Sequence, residues 1–263
     1  MLWQDVLIMS RKGTLFLLPA PIASFDDARW SLDSVALEIP NYALQLYSKL
    51  DYFIVESEKS ALRLLSRFKD PKDLNRSCLV IFDEHSIEAD VAKVLGPIED
   101  GKDGGILSEA GLPCIADPGG RLVAYAHQRG IQVVPVSGPS SLMLALSASG
   151  LDAQRFIFLG YLPSESRTRI SVLRRISNEF LRDGITRIFI ETPYRNNALL
   201  RDCVANLPED LMLCVASDLA GLSMRIWTKE IGFLIASGLP EIGKVPAVFI
   251  IGKQAEIHPR NTT

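Results

Sequence analysis

The sequence predicts an α/β protein of two domains with mainly parallel sheets. Three observations lead there. Short apolar runs alternate with amphipathic stretches through roughly the first 150 residues, the pattern of a parallel sheet covered by helices on both faces. Two loops rich in Gly, Pro and Ser, Ser108–Pro113 and Ser137–Ser140, each follow an apolar run directly. Loops at the carboxyl ends of parallel strands are where open α/β sheets bind ligands. A second alternation then begins at Phe156, after the joint Gly150-Leu151-Asp152-Ala153. The expected domains are 1–151 and 152–263, and each is large enough to bury a core.

Taken in order, Thr14–Leu18 is the first strand and runs into Pro19-Ala20-Pro21-Ile22-Ala23-Ser24. Pro40 opens a helix through Tyr47. Asp51–Val55 is a strand ending at Glu56-Ser57-Glu58-Lys59, with a helix to Phe68 whose Leu62, Leu65 and Phe68 share a face. Cys78–Phe82 is a strand and Ser86–Leu95 a helix. Gly105-Ile106-Leu107 is a buried strand, broken at once by Gly111 and Pro113. Asp117-Pro118 reads as a helix start, Asp as N-cap and Pro at the first helical position. Gly130 ends that helix. Ile131–Val136 is the next strand, and a helix of small residues follows the loop at Ser137-Gly138-Pro139-Ser140.

In the second half, Phe156–Gly160 is a strand. The following helix turns Ile170, Leu173, Ile176 and Phe180 inward and Arg167, Arg169, Arg174, Arg175 and Arg182 outward. Arg187–Ile190 is a strand leading into Glu191-Thr192-Pro193-Tyr194-Arg195. Leu211–Ala216 is a strand, and Ser223–Thr228 can pair beside it antiparallel. Lys229–Ser237 is a short helix and Val245–Ile251 the last strand.

Composition narrows the function. With 28 Lys and Arg against 31 Asp and Glu, the net charge of −3 gives no general affinity for nucleic acid, so RNA binding requires a local basic patch. The four cysteines, Cys78, Cys114, Cys203 and Cys214, are far apart with no C-x-x-C pair, as for free thiols in a reducing cytoplasm. His85, His127 and His258 are equally scattered, so no metal site is expected. No apolar run approaches a membrane span, and no basic segment precedes an apolar core as in a signal peptide. A cytoplasmic protein is expected.

Two nucleotide motifs fail. No G-x-G-x-x-G occurs. Gly238-Leu-Pro-Glu-Ile-Gly243-Lys244 imitates a phosphate loop, but Val245 stands where Ser or Thr must meet Mg²⁺.

The segments SEAGLPCIADPG (108–119) and PVSGPSSLMLALSASGL (135–151) resemble the S-adenosylmethionine-binding core of the tetrapyrrole (corrin/porphyrin) methylase superfamily. They are most like its branch of ribose 2′-O-methyltransferases of small-subunit ribosomal RNA. ETPYR (191–195) is similar to that branch's Glu-x-Pro-x-Arg. The resemblance covers about residues 12–252. It departs in three places. Ala23 replaces a usual glycine, ESEKS (56–60) stands where relatives carry an acidic-polar-basic cluster, and 25–38 looks like a local insertion.

What the resemblance implies is a homodimer with S-adenosylmethionine in a cleft between the domains. Pro21 would contribute from the first loop. Ser108, Glu109, Ala110, Gly111, Pro113 and Ile115 would come from the second, and Gly138, Pro139, Ser140 and Ser141 from the third. Thr192, Ala216 and Pro246 would come from the second domain. No phosphate has to be cradled, and small residues let backbone approach the ligand. Methyl transfer to a ribose hydroxyl needs an oriented acceptor and a base. Glu56, Glu58, Glu109 and Glu191 are candidate bases, and Arg195 is suited to hold a phosphate. The Arg face of 167–182 is the expected contact to ribosomal RNA. Two other readings stay open: carbon methylation of a tetrapyrrole, and a cofactor-binding protein without catalysis.

Overall fold

The computed structural model describes residues 12–23, 32–70, 74 and 78–255. Ser24, the first part of the expected insertion, and His258 lie outside them. The chain falls into two compact units. The described residues of the first are 12–22 and those from 32 to 139; the second holds Ala23 and 140–255.

The first unit contains β1 (Thr14–Leu18), α1 (Leu32–Glu38), α2 (Asn41–Lys49), β2 (Phe53–Val55), α3 (Glu58–Leu65), β3 (Leu79–Ile81), α4 (Glu88–Glu99), β4 (Gly104–Leu107), α5 (Gly120–Gln128) and β5 (Gln132–Pro135). Its sheet has the order β3-β2-β4-β1-β5 with every pairing parallel, as the alternation predicts. β2 and β4 are buried along their whole length. Hence they read as unbroken apolar or small runs. Gly105, the second residue of β4, is favoured by packing, because a Cβ there would stand 2.4 Å from Cδ1 of the fully buried Leu18. One face of the sheet packs Leu18, Tyr47, Phe53 and Leu65; the other packs Leu15, Tyr52, Ile54, Leu95 and Leu122.

Local chemistry sets the helix ends. Ser57 caps α3, its hydroxyl accepting from Ser60 N at 3.3 Å. α4 begins at Glu88 rather than Ser86, because the Ser86 hydroxyl is turned back onto Asp83 and the Asp90 carboxylate accepts from Ile87 N at 2.9 Å. It runs past the expected Leu95 to Glu99, with Pro97 in its last turn.

The second unit contains α6 (Ser141–Ala148), β6 (Phe156–Tyr161), α7 (Ser166–Asp183), β7 (Thr186–Glu191), α8 (Asn196–Asn206), β8 (Met212–Ser217), β9 (Arg225–Glu230), α9 (Ile231–Ser237) and β10 (Ala247–Gly252). Its sheet, β6-β7-β10-β8-β9, departs from the expected parallel arrangement. Only β6 and β7 run parallel; β10 is antiparallel to both β7 and β8, and β8 to β9. A short connection with no crossover helix permits only an antiparallel partner, which settles β8 and β9. β10 is buried at all six residues, so no alternation reveals its direction. Phe189 of β7 and Phe249 of β10 stack with centroids 5.7 Å apart in the middle of this core.

α7 presents Leu173, Ile176 and Phe180 to the core as expected and ends at Gly184, whose φ of 65° lets its N–H return to Phe180 O. Its basic side chains do not form one solvated face. Arg169 is buried and bound to Asp202 and to the carbonyls of Pro163 and Ser164. Arg174 donates to Asn206 Oδ1, and Arg175 lies 3.8 Å from Glu179.

Cys114, Cys203 and Cys214 are free thiols. Burial pushes the thiols of Cys203 and Cys214 up, and that of Cys114 to about 12. Among the described residues, no helix is long and apolar enough to cross a membrane.

Candidate active site

In the first unit the loops after β1, β4 and β5 meet at one edge of the sheet. Ala20 and Gly111 exchange both backbone hydrogen bonds, at 2.8 and 2.9 Å. Gly111 has φ +72°, a conformation in which a Cβ is strained. The Ser108 hydroxyl donates to Gly111 O at 3.1 Å and stiffens the same turn. A Cβ on Gly138 would lie 2.1 Å from Pro19 Cβ, so this glycine is required by packing between two loops. Pro21, Ser108, Glu109, Ala110, Gly111, Pro113, Gly138 and Pro139 thus belong to one set of neighbouring loops. Ser140 caps α6, with Ser141 as its first residue. Ile115 is 47% exposed on the outer part of the second loop.

That second loop ends differently from the sequence expectation. Asp117 is not the N-cap of α5. Its carboxylate accepts from Cys114 N at 2.6 Å and Gly119 N at 2.8 Å, and the helix begins at Gly120. The turn so closed holds two non-glycine residues, Cys114 and Ala116, at positive φ of 67° and 61°. Such backbone persists where surroundings over-determine it, often at ligand sites.

Beside this turn lies a cavity of about 650 Å³, lined by Glu56, Ser57, Asp83, Glu84, His85, Glu109, Ala116, Asp117, Pro118 and Arg121. Five of these side chains are carboxylates. Arg121 does not neutralise them freely. Its guanidinium lies over the Phe82 ring and donates to the carbonyls of Ser86 and Asp83. Glu109 accepts from the Ser60 hydroxyl at 2.7 Å. Glu56 is half-buried, and its carboxyl is pushed up to about 7, first by burial and then by the charges of Asp117, Glu109, Asp83 and Glu84. Asp83 moves the other way, its charge favoured by the Ser86 hydroxyl and the His85 N–H. Glu58, in the first turn of α3, does not line the cavity.

Sequence reasoning missed Asp83, Glu84, His85 and Arg121 as site residues. A signal exists: Phe82-Asp83-Glu84 follows β3 as Glu56-Ser57-Glu58 follows β2. Since β3 neighbours β2 in parallel, both acidic ends reach the same edge.

In the second unit, the segment after β7 forms a tight turn in which Thr192 O accepts from Arg195 N at 3.0 Å. The wholly buried Glu191 side chain organises it. One oxygen, Oε1, accepts from Thr192 N at 2.6 Å, Arg195 Nε at 2.8 Å and Arg195 Nη2 at 2.6 Å. The antiparallel register sets Ala247 opposite both Glu191 and Ser217. Pro246 therefore sits at the carboxyl ends of β7 and β8, where its carbonyl accepts from Asp218 N. Thr192 and Pro246 come to one sheet edge; Ala216 lies just inside it, fully buried between β10 and β9.

The fold is similar to that of uroporphyrin-III-C-methyltransferase from Thermus thermophilus, with a TM-score of 0.51 and 17% identity over 92% of this chain and 95% of that one. That likeness is one of fold. The family model of the Tetrapyrrole (Corrin/Porphyrin) Methylases matches residues 48–228, and the chain belongs to this family of S-adenosylmethionine-dependent methyltransferases. Among curated proteins, it is 31% identical to ribosomal RNA small subunit methyltransferase I of Escherichia coli O157:H7, over 86% of this chain and 72% of that protein. It is 34% identical to the protein of that name in Pseudomonas aeruginosa, over 70% of this chain and 58% of that one.

Proposed function

We propose that this chain transfers a methyl group from S-adenosylmethionine to a ribose 2′-hydroxyl of small-subunit ribosomal RNA, with Glu56 accepting the hydroxyl proton. Identity to the two ribosomal RNA methyltransferases supports the substrate class. The observation that carries the chemistry is the acidic cavity around Glu56.

The residues present fit the cofactor. A sulfonium donor is a cation, and carboxylates converging on one cavity complement it. The loops at 108–113 and 137–139 would hold it mainly by backbone. When bound, it supplies an already activated methyl group. The protein then has to orient one hydroxyl and take its proton. A carboxyl titrating near neutrality is suited to that task. Asp117 and Glu109 favour the protonated form of Glu56 that results. Glu191 serves instead as the anchor of its turn, since Arg195 and Thr192 already occupy Oε1. The 31% and 34% identity to ribosomal RNA methyltransferases supports RNA over a tetrapyrrole, so the tetrapyrrole reading ranks second. A homodimer and a cytoplasmic location, where ribosomal RNA is found, belong to this reading.

The test is methyl transfer from radiolabelled S-adenosylmethionine to small ribosomal subunits, protein-free ribosomal RNA and a porphyrinoid panel. Label in RNA that leaves an alkali-resistant dinucleotide is the expected result. Label only in a porphyrinoid overturns the reading. Cofactor binding without transfer to any acceptor would favour the non-catalytic alternative.

A further inference from the structure

The phosphate-loop imitation at 238–244 has no nucleotide role, yet the structure ties it tightly to the ETPYR turn. Asn196, fully buried at the start of α8, donates from Nδ2 to Val245 O at 2.7 Å and Gly243 O at 3.3 Å. The next residue, Asn197, accepts from Ile242 N at 3.0 Å through Oδ1. Gly243, with φ +85°, bends the loop between these anchors. The result is that Lys244 Nζ stands 5.7 Å from the centroid of the Tyr194 ring. That is within reach of a cation–π contact.

Tyr194 is 82% exposed. It rides on a turn fixed by the Glu191–Arg195 pair, so its backbone is already ordered. Lys244 is exposed and has no hydrogen bond or ion pair among the described residues. An open aromatic ring on a rigid turn, beside a cation with no anion, is what unpaired nucleotides bind. The ring takes a base and the cation a phosphate, at little cost in ordering.

We infer that Tyr194 and Lys244 form a contact for single-stranded RNA on the second unit, a base stacking on Tyr194 and a neighbouring phosphate meeting Lys244. The inference rests on the RNA reading above and adds to it the surface that grips the strand. It also meets a need set by composition: an acidic chain requires a local cationic contact, and α7 offers fewer free arginines than its sequence suggests.

The experiment compares wild type with Tyr194→Ala, Tyr194→Phe and Lys244→Ala. It measures affinity for a labelled single-stranded RNA oligonucleotide, for protein-free small-subunit ribosomal RNA and for intact small subunits across a salt series, then KM and kcat for methyl transfer. Cofactor calorimetry confirms that each variant is folded. Tyr194→Ala should weaken RNA binding by about five- to 150-fold, the range for losing one stacked base. Tyr194→Phe should stay close to wild type. Lys244→Ala should lower the salt slope by about 0.7, one phosphate contact on a single strand. Both losses should appear in KM more than in kcat. If wild type binds RNA and both alanine variants match its affinity and slope, the inference is overturned while the RNA reading stands. If Tyr194→Ala weakens binding to intact subunits but not to protein-free RNA, the ring meets a protein and the inference is again overturned. If wild type binds no RNA, both readings fail together.

Discussion

Arg169 and Asp202 form a buried ion pair, Nη2 to Oδ2 at 2.5 Å, which joins α7 to α8. The guanidinium also donates to the carbonyls of Pro163 and Ser164, so it fastens the loop before α7 as well. Removing one partner leaves the other charge buried. Asp202→Ala should therefore cost about 3–5 kcal/mol of stability. Urea denaturation at neutral pH should show a lower midpoint at unchanged slope.

The exposed arginines of α7 behave differently. Changing Arg174 and Arg175 together to Ala removes surface contacts to Asn206 and Glu179, with little effect on stability. If both reach phosphate, the salt slope of RNA binding should fall by about one to two units. An unchanged slope with RNA still bound would assign them to the solvated surface. Cofactor affinity, read by calorimetry, should not change.

Glu56→Gln should lower methyl transfer by about 10²–10⁴-fold, the usual contribution of a general base. In wild type the rate should rise with pH and level off above about 7, where this carboxyl is ionised. Stability should respond in the opposite sense. A carboxyl raised in the folded state holds its proton more tightly there than when unfolded. Its contribution is full below the unfolded value and is lost as pH rises toward 7. The Gln variant should therefore gain stability relative to wild type above pH 7, and the gain should shrink toward pH 4. Thermal unfolding across that range checks the sign.

Glycine substitutions in the loops should act first on folding. Gly138→Val drives a Cβ into Pro19, and Gly111→Val places a β-branched residue at φ +72°. Each should cost about 1–3 kcal/mol. Calorimetry with S-adenosylmethionine should show weaker binding in both, because each disturbs the loop edge. Full stability in Gly138→Val by thermal unfolding would contradict the packing role.

Much of the fold was legible because its signals are local. β1 to β5 alternate with helices at regular spacing, Gly105 marks a place of tight packing, and Gly111 a turn that needs positive φ. The second sheet was less legible. β10 is apolar throughout, so nothing in its composition reveals that it enters between β7 and β8 running against both. The site shows the same division. ETPYR and the loop at 108–113 could be read from their residues. Asp83, Glu84 and His85 could not be joined to Glu56 until the order of β3 and β2 was known. Arg169 looked like part of a charged face because its spacing matches the other arginines; Asp202, 33 residues away, determines that it is buried. Asp117 had the identity of a cap but is used three residues earlier, as the clasp of a strained turn.

The buried thiols have a practical consequence. Cys203 and Cys214 both lie in the second unit, in α8 and β8, with their ionisation suppressed. A reagent that needs a thiolate must wait until that unit opens. Cys114 sits in the strained turn of the first unit and answers to a different opening. The chain thus carries its own pair of clocks. Labelling rates at these native cysteines, followed by mass spectrometry, would time the breathing of each half separately without any introduced probe.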